Sequence, residues 1–177
     1  MAASPFSFEG DSATWTARGP RPSALMQLHR NSLTPVLIVG GTAQRRSEMA
    51  KAFHEQSPVS AGLFTTLDCA TDEPVLQAAL QCWRSAIPAG VELNPLRACS
   101  SGTLFLDRLE ALSLDTQRSL LALLNRLDPH DGPCARLTVG CATDPGPAAR
   151  AGTLSPGLLD RLDKVRIELG DLPAQIG

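Results

Sequence analysis

Residues 35–41 read Pro-Val-Leu-Ile-Val-Gly-Gly, a short apolar run that ends in two glycines. An unbroken apolar run of this length predicts a strand buried on both faces, as in a parallel sheet covered by helices. The polar stretch that follows carries Met49, Ala50, Ala52 and Phe53 on one side, and this spacing predicts a helix. The segment therefore predicts a strand, a glycine loop and a helix in succession.

Strand and helix signals alternate along the rest of the chain. Further runs predict strands at 63–67, 103–106, 137–141 and 165–169. The alternation predicts an α/β fold, a five-stranded parallel sheet between helices. Ligands of such sheets bind beyond the carboxyl ends of strands, where Gly40, Gly41 and Asp107 lie.

Three more helices are predicted between these strands. The first starts at Thr71-Asp72-Glu73-Pro74, because acidic residues and proline favour a first turn. The second is capped by Ser113, and the third is short. Their apolar faces are Val75, Leu76, Ala79, Leu80 and Trp83; then Leu120, Leu121, Leu124 and Leu127; then Leu158, Leu159 and Leu162. Residues 88–101 are predicted to form a loop.

Composition limits the functions open to the protein. The chain has 177 residues, 43% of them hydrophobic, and a formal net charge of -2. This is the size of one domain, and the charge argues against a broad basic surface for nucleic acid or a polybasic membrane anchor. Residues 1–22 are rich in Ser, Pro, Gly, Ala and Arg, which predicts an extended or disordered arm before a domain at 23–177.

The cysteines indicate a reducing compartment. The chain has five cysteines but no Cys-x-x-Cys pair, and no apolar run approaches the roughly 20 residues that span a bilayer. We therefore expect a cytoplasmic protein with reduced thiols and no membrane association. His130 and Asp131 lie near Cys134, but the missing ligand pairs favour a polar loop beside a buried cysteine, and we expect no metal.

Six segments occur in the order found in one family of proteins. They are Pro35–Gly40, Ala50–His54, Leu67–Ala70, Gly102–Asp107, Gln117–Leu124 and Asp160–Asp163. With them, residues 23 to about 172 resemble the AAA+ domain of bacterial sigma-54-dependent transcription activators, also called enhancer-binding proteins. Gly102-Thr-Leu-Phe-Leu-Asp107 is the most specific of the six. The resemblance implies a P-loop NTPase-like AAA+ core.

The phosphate loop of that family reads Gly-Glu-Ser-Gly-Thr-Gly-Lys-Glu, whereas residues 40–47 here read Gly-Gly-Thr-Ala-Gln-Arg-Arg-Ser. The resemblance implies a vestigial nucleotide site formed by Gly40, Gly41, Thr42, Arg46, Ser47 and Asp107. Ala43 and Arg45 replace glycines that let the backbone close around a phosphate, and Arg46 replaces the lysine.

Two interpretations of this loop stay open. One is a connection without ligand, and the other is a weakened nucleotide or anion site at a helix N-terminus. The two differ in whether the side chain of Arg45 or Arg46 fills the loop.

The other family positions also differ here. The strand ends in Asp107-Arg108 instead of Asp-Glu, and arginine cannot accept a proton from water. We expect Arg108 to pair with Asp107 in place of a cation. Asp144 aligns with the sensor asparagine, Gly152–Ser155 lacks the family's arginine finger, and Arg161 matches the second family arginine.

Several family elements have no counterpart in the sequence. The Gly-Ala-Phe-Thr-Gly-Ala remodelling loop does not occur between Leu67 and Gly102, and the sequence stops at Gly177. The helical lid and the DNA-binding helix-turn-helix of the family are therefore expected to be absent. His29 and His54 are expected to serve in packing or capping, because no Ser-His-Asp arrangement accompanies them.

These features favour a catalytically degenerate AAA+ domain that works as a regulatory or protein-interaction module, without ATP hydrolysis and without a cofactor. The expected partner is another protein or a second copy of the chain, an active sigma-54 activator being one candidate, and no direct DNA binding is expected. Two alternatives remain. One is a sensor that binds ATP or another anion without hydrolysis. The other is a weak noncanonical ATPase that uses Arg46 and Asp107, with Glu110 or Asp144 activating water.

Overall fold

The computed structural model describes residues 22–84, 101–126 and 136–170, and the descriptions below concern these residues. Their strands form a five-stranded sheet in the order β2-β3-β4-β1-β5, and every neighbouring pair is parallel. The strands are β1 Val36–Gly40, β2 Phe64–Asp68, β3 Thr103–Asp107, β4 Arg136–Cys141 and β5 Val165–Leu169. All five strand predictions are confirmed, and no predicted end is off by more than one residue.

The described residues also form six α-helices and one 3-10 turn, of which α1 precedes the first strand. The helices are α1 Pro22–His29, α2 Ala43–Glu55, α3 Glu73–Arg84, α4 Leu114–Arg126, α5 Gly146–Arg150 and α6 Pro156–Leu162, and the 3-10 turn is Leu109–Ala111. Helices α1 and α5 were not predicted, and α1 begins at Pro22, the last residue assigned to the arm. Among the helices described, none is long and apolar enough to cross a membrane.

The sheet separates two apolar layers. One contains Leu37, Leu104, Leu106 and Val139 together with apolar side chains of α3, α4 and α6. The other contains strand residues such as Ile38, Phe105 and Ile167, packed against α2 and Met26 of α1. The predicted α/β arrangement, a parallel sheet between helices, is therefore confirmed.

The helix faces match the predicted faces with one clear exception. In α3, Leu76, Ala79 and Leu80 are buried, but Val75 is 48% exposed, so its assignment to the apolar face was wrong. Leu76, Ala79 and Leu80 share one helix face at i, i+3 and i+4, whereas Val75 lies one position earlier, about 100° around the helix and beside that face. The side chain of Trp83 lies outside the described residues.

The second predicted helix begins as expected. The Oγ of Ser113 accepts a hydrogen bond of 3.3 Å from the backbone N–H of Thr116, which is the capping contact predicted for this position. Leu120 of α4 is buried, and Leu121 and Leu124 pack against the core from partly buried positions. Leu127 lies outside the described residues, as does nearly all of the loop predicted at 88–101.

The parallel arrangement brings functionally important residues to one edge of the sheet. All five strands end at this edge, which we call the carboxyl edge, and it is formed by Gly40, Asp68, Asp107, Cys141 and Leu169. The loop between β1 and α2 lies here, and so does the residue pair that follows β3.

Candidate functional site

The loop after β1 makes a turn that only glycine accommodates easily. Gly40 and Gly41 have φ angles of +82° and +64°, in the left-handed region that side chains disfavour. A Cβ at Gly40 would lie 2.6 Å from the backbone oxygen of Leu169. Thr42 then caps α2, because its Oγ1 accepts a hydrogen bond of 3.2 Å from the N–H of Arg45. The chain thus reverses direction within two residues and starts a helix.

Arg46 lies in the first turn of α2, and its side chain folds back across the loop. Its Nε donates to Oδ1 of Asp107 at 2.6 Å, and its Nη2 donates to Oδ2 at 3.0 Å. Its Nη1 donates to the carbonyl oxygens of Gly41 at 2.8 Å and Gly40 at 3.3 Å. Arg46 and Asp107 are only 2% and 5% exposed. The guanidinium therefore fills the space between the loop and the end of β3.

The hydrogen bonds to Asp107 stabilise the charged form of Arg46. The bond to Asp107 raises the pKa of Arg46, and this effect exceeds the opposing effect of burial. A two-pronged guanidinium–carboxylate contact is among the stronger polar interactions in proteins. Arg46 thus has its hydrogen-bond acceptors within the protein itself.

Gly140 of β4 makes room for the pair. A Cβ at this position would lie 2.3 Å from Oδ1 of Asp107 and 3.3 Å from Cδ of Arg46. Any larger residue would push the carboxylate or the arginine stem out of place. Gly140 was not among the predicted site residues, although a glycine inside an apolar strand signals the close approach of another group.

Arg108 does not pair with Asp107, and that prediction was wrong. Its Nε donates to Oδ1 of Asp68 at 2.7 Å, and its Nη2 bonds the other oxygen of the same carboxylate. The reason is geometric, because Asp107 is already held by Arg46 and the left-handed backbone of Arg108, with φ at +55°, directs its side chain to β2. This ion pair lowers the pKa of Asp68.

Arg45 and Ser47, two other residues of the predicted loop region, take no part in the contact between Arg46 and Asp107. Arg45 donates from Nη1 to the backbone oxygen of Gly170 at 3.3 Å, just beyond β5. Ser47 is half-buried in α2 next to Arg46. The structure thus brings together Gly40, Gly41, Arg46 and Asp107 of the predicted set. Thr42 is instead a helix cap.

Two more carboxylates lie near the carboxyl edge. Asp144 accepts hydrogen bonds from the N–H of Gly146 at 3.1 Å and from Nη1 of Arg166 at 3.2 Å. The pKa of Asp144 is lowered, chiefly by the Gly146 N–H. Glu110 accepts from the N–H of Ala142 at 2.8 Å through Oε1, whereas its buried Oε2 has no hydrogen-bond partner in the described part of the chain.

The segment aligned with the arginine finger has a structural role. Ser155 caps α6 by accepting a 3.4 Å hydrogen bond from the N–H of Leu158, and Leu154 is fully buried. Buried Gln117 of α4 fixes the segment from the other side, because it accepts from the N–H of Ser155 at 2.7 Å and donates to the oxygen of Thr153 at 3.0 Å. Sequence reasoning missed this glutamine.

Arg161, the second arginine aligned with the family, lies on the exposed side of α6. It donates from Nη2 to the backbone oxygen of Leu124 at 2.9 Å. The contact places a cation at the carboxyl end of α4, where the helix dipole favours positive charge.

His54 packs in the core, as expected for a structural histidine. Its Nδ1 is 3.0 Å from the Oγ1 of Thr103, and burial lowers its pKa. His29 is the last residue of α1.

The described cysteines are inert free thiols. Cys69 and Cys141 are both buried and unpaired by disulfides, and burial raises the pKa of Cys69 to about 12. Within the described ranges, no three metal-binding side chains form a cluster. His130, Asp131 and Cys134 lie outside those ranges.

Fold and site together define a class of protein. The strand order β2-β3-β4-β1-β5, with a loop and helix after β1 and an aspartate at the end of β3, is that of the AAA+ type of P-loop NTPase fold. The profile of the family described as the sigma-54 interaction domain matches residues 22–130. The chain therefore belongs to the sigma-54 interaction domain family of transcription activators.

Two curated relatives agree with this assignment. The chain is 28% identical over 151 residues to the C4-dicarboxylate transport transcriptional regulatory protein DctD of Pseudomonas aeruginosa, covering 77% of this chain and 32% of DctD. It is 33% identical over 97 residues to the nitrogen fixation protein VnfA of Azotobacter vinelandii, covering 51% of this chain and 18% of VnfA. The chain thus spans a third or less of the relatives that it matches.

Solved structures share the fold. NtrX from Brucella abortus, crystallised with ATP, superposes with a TM-score of 0.66 at 20% identity, covering 83% of this chain and 35% of NtrX. The P-loop NTPase domain of a sigma-54 transport activator from E. coli gives a TM-score of 0.58 at 19% identity, covering 78% of this chain and 98% of that domain.

Proposed function

We propose that this chain is a catalytically inactive AAA+ domain of the sigma-54 activator type, which acts as a regulatory or protein-interaction module without ATP hydrolysis. The observation that carries the proposal is the buried ion pair between Arg46 and Asp107. In the family pattern, the cation of the loop and the aspartate of the strand serve ATP and Mg²⁺. Here the two side chains bind each other.

Mg²⁺ and ATP do not fit the residues present. Both carboxylate oxygens of Asp107 accept hydrogen bonds from Arg46, whose Nη1 also binds two loop carbonyls. A metal ion at Asp107 would have to displace the guanidinium from its buried partner, and breaking a buried ion pair costs about 3–5 kcal/mol. Arg108, at the position of the water-orienting glutamate, cannot accept a proton.

Calorimetry and a phosphate-release assay test this proposal. We expect no heat of binding when Mg-ATP is titrated into the purified chain, and no phosphate release above that of the Asp107→Ala variant. Asp68→Ala is the matched control, because it removes a carboxylate from the more exposed ion pair at the same edge. Hydrolysis that is present in the unmodified chain and disappears in Asp107→Ala would contradict the proposal.

The same proposal assigns the function to protein contacts in the cytoplasm, either with a second copy of the chain or with an active sigma-54 activator. Membership of the family and the regulatory role in DctD's name support this assignment. Val75 and Leu114 add an apolar surface, 48% and 41% exposed, at the starts of α3 and α4. Glu73 joins these two helix starts through a 2.9 Å hydrogen bond from the N–H of Ser113.

Light scattering tests the assignment to protein contacts. The chain is measured alone and mixed with a purified, active sigma-54 activator. We expect either a mass above that of the single chain when it is alone, or a species heavier than the activator alone in the mixture, and either one reduced by Val75→Ser with Leu114→Ser. Leu28→Ser on α1 is the control, because Leu28 is exposed but lies on a different helix. A single-chain mass for the chain alone, together with no species heavier than the activator in the mixture, would count against this part.

One observation favours a second candidate, a weak noncanonical ATPase. Glu110 keeps a buried carboxylate oxygen without a partner in the described residues, close enough to Arg46 to help raise its pKa. Asp144, the other candidate base, is already bound to Gly146 and Arg166. This candidate predicts that Arg46→Ala abolishes ATP binding and that Arg108→Glu raises turnover. Unchanged ATP binding in Arg46→Ala together with unchanged turnover in Arg108→Glu would reject the noncanonical ATPase.

A further inference from the structure

We infer that the loop after β1 binds a cation rather than a phosphate, and that the side chain of Arg46 is its built-in ligand. The inference deepens the proposed function and rests on it. Four oxygens surround the guanidinium: the carbonyl oxygens of Gly40 and Gly41, and both carboxylate oxygens of Asp107. We call these four oxygens the cation cradle.

The polarity of the cradle is opposite to that of a phosphate site. A phosphate-binding loop directs backbone N–H groups at its ligand. Here two successive carbonyls accept from the ligand, and a carboxylate lies opposite them. One N–H donor at the start of α2, that of Arg45, is also occupied, because it bonds the Oγ1 of Thr42. Removing the arginine side chain would therefore leave a site lined by four oxygens, two of them from the carboxyl group of Asp107.

The shape of the cradle suits a planar guanidinium. Nε and Nη2 address the two carboxylate oxygens side by side, while Nη1 addresses the loop carbonyls. Gly140 provides the space, since a Cβ there would lie 2.3 Å from Oδ1 of Asp107. A planar cation with several N–H donors matches this arrangement better than a triphosphate does.

Chemical rescue tests the inference. The Arg46→Ala variant leaves the cradle empty, and ethylguanidinium chloride is added at low millimolar concentration with ionic strength held constant by NaCl. We expect the melting temperature of Arg46→Ala to rise with ethylguanidinium, by roughly 5–10 °C at 100 times its Kd. Arg46→Met is the matched control, because its side chain fills the space, and Arg108→Ala controls for an arginine lost from an exposed pair. Neither control should respond.

A second arm uses Mg-ATP on the same variant. We expect no rise in the melting temperature of Arg46→Ala, because the four oxygens of the cradle are acceptors and would face the oxygens of a phosphate. A rise with Mg-ATP, or a response to ethylguanidinium no larger than that of Arg108→Ala, would overturn the inference. If Arg46→Ala is unfolded alone, circular dichroism replaces melting, and ethylguanidinium should restore its helical signal. Failure to do so while Arg46→Met folds would also overturn it.

The two proposals fail separately. ATP hydrolysis by the unmodified chain would end the proposed function. An inactive chain whose Arg46→Ala variant accepts Mg-ATP would leave the proposed function in place and refute only the cation cradle.

Discussion

Arg46 and Arg136 are both buried between α2 and the sheet, at opposite ends of the helix, yet their surroundings differ. Arg46 faces the carboxylate of Asp107, and this contact raises its pKa. Arg136 is 1% exposed, and burial lowers its pKa. Its Nη1 donates to the oxygen of Phe53 at 3.3 Å, whereas its Nε and Nη2 have no partner in the described part of the chain.

The difference shows how one residue type serves two purposes in one layer. Arg136 lies under the last turn of α2, where the helix dipole favours a cation, and its guanidinium is 5.4 Å from the ring centroid of Phe53. Arg46 lies at the opposite end, where the dipole disfavours a cation, so it needs the aspartate. The paired arginine lies where the family pattern places nucleotide, and the unpaired one does not.

The largest expected loss of stability comes from breaking the ion pair between Arg46 and Asp107. Asp107→Ala leaves the guanidinium of Arg46 buried without its carboxylate, and we expect the free energy of unfolding to fall by about 3–5 kcal/mol. Urea denaturation followed by circular dichroism measures this loss. Asp68→Ala at the exposed pair with Arg108 is the control, and its effect should be much smaller. Equal losses would mean that burial does not distinguish the two pairs.

A change in packing should have the next largest effect. Gly140→Ala places a methyl group against Asp107 and Arg46, and we expect a loss of about 1–3 kcal/mol. Gly157→Ala in α6 is a matched control, because its new Cβ would meet only two side-chain atoms, at 3.4 and 4.0 Å, which are ordinary contacts. Alanine is also the better helix former, so this control should be neutral or slightly stabilising. A Gly140→Ala variant as stable as the unmodified chain would show that Arg46 and Asp107 have room to move.

Removing the unpaired arginine should matter less than removing the paired one. Arg136→Met deletes two buried donors without a partner among the residues that the structure describes, together with one hydrogen bond to Phe53, and these effects oppose each other. We expect a net change within about 1 kcal/mol in either direction, because well-packed apolar residues replace buried charges at little cost. Denaturation of Arg136→Met and Arg46→Met side by side checks this. A loss above that of Arg46→Met would reveal an acceptor for Arg136.

The smallest expected effect is a pH dependence of stability that comes from His54, a residue of α2 near Arg136. Burial lowers the pKa of His54, so the unfolded chain takes up a proton at a higher pH than the folded chain does. Stability should therefore fall as pH drops below about 6.5, with a slope below the limit of about 1.4 kcal/mol per pH unit for one group. His54→Gln should flatten the profile between pH 7 and 5. An unchanged profile in His54→Gln would assign the slope to other groups.

Local patterns predicted the fold well because buried parallel strands and helix caps have short-range signals. The run at 35–41, the cap at Ser113 and the strand 165–169 each needed only neighbouring residues. The site was predicted less completely. The structure brings Gly40, Gly41, Arg46 and Asp107 of the predicted set together, but the predicted partner of Arg108 was wrong, because a left-handed residue redirects its side chain and nothing local specifies that conformation.

Other errors have the same origin. Val75 is apolar and adjoins the face formed by Leu76, Ala79 and Leu80, but residue type does not say how wide the buried face of a helix is. Gly140 and Gln117 contact residues that are far away in the chain, so only the folded structure reveals their roles. Gly140 makes room for the ion pair of Arg46 and Asp107. Gln117 forms hydrogen bonds with the backbone of Thr153 and Ser155.

The sequence alone determined the parallel α/β sheet, the family resemblance and the replacement of the loop lysine by arginine, because each depends on residue type and order. Only the tertiary structure decided which carboxylate each arginine meets. Ion pairs join residues as distant as Arg46 and Asp107, and their choice depends on side-chain direction and burial, which are fixed when the strands and α2 pack together.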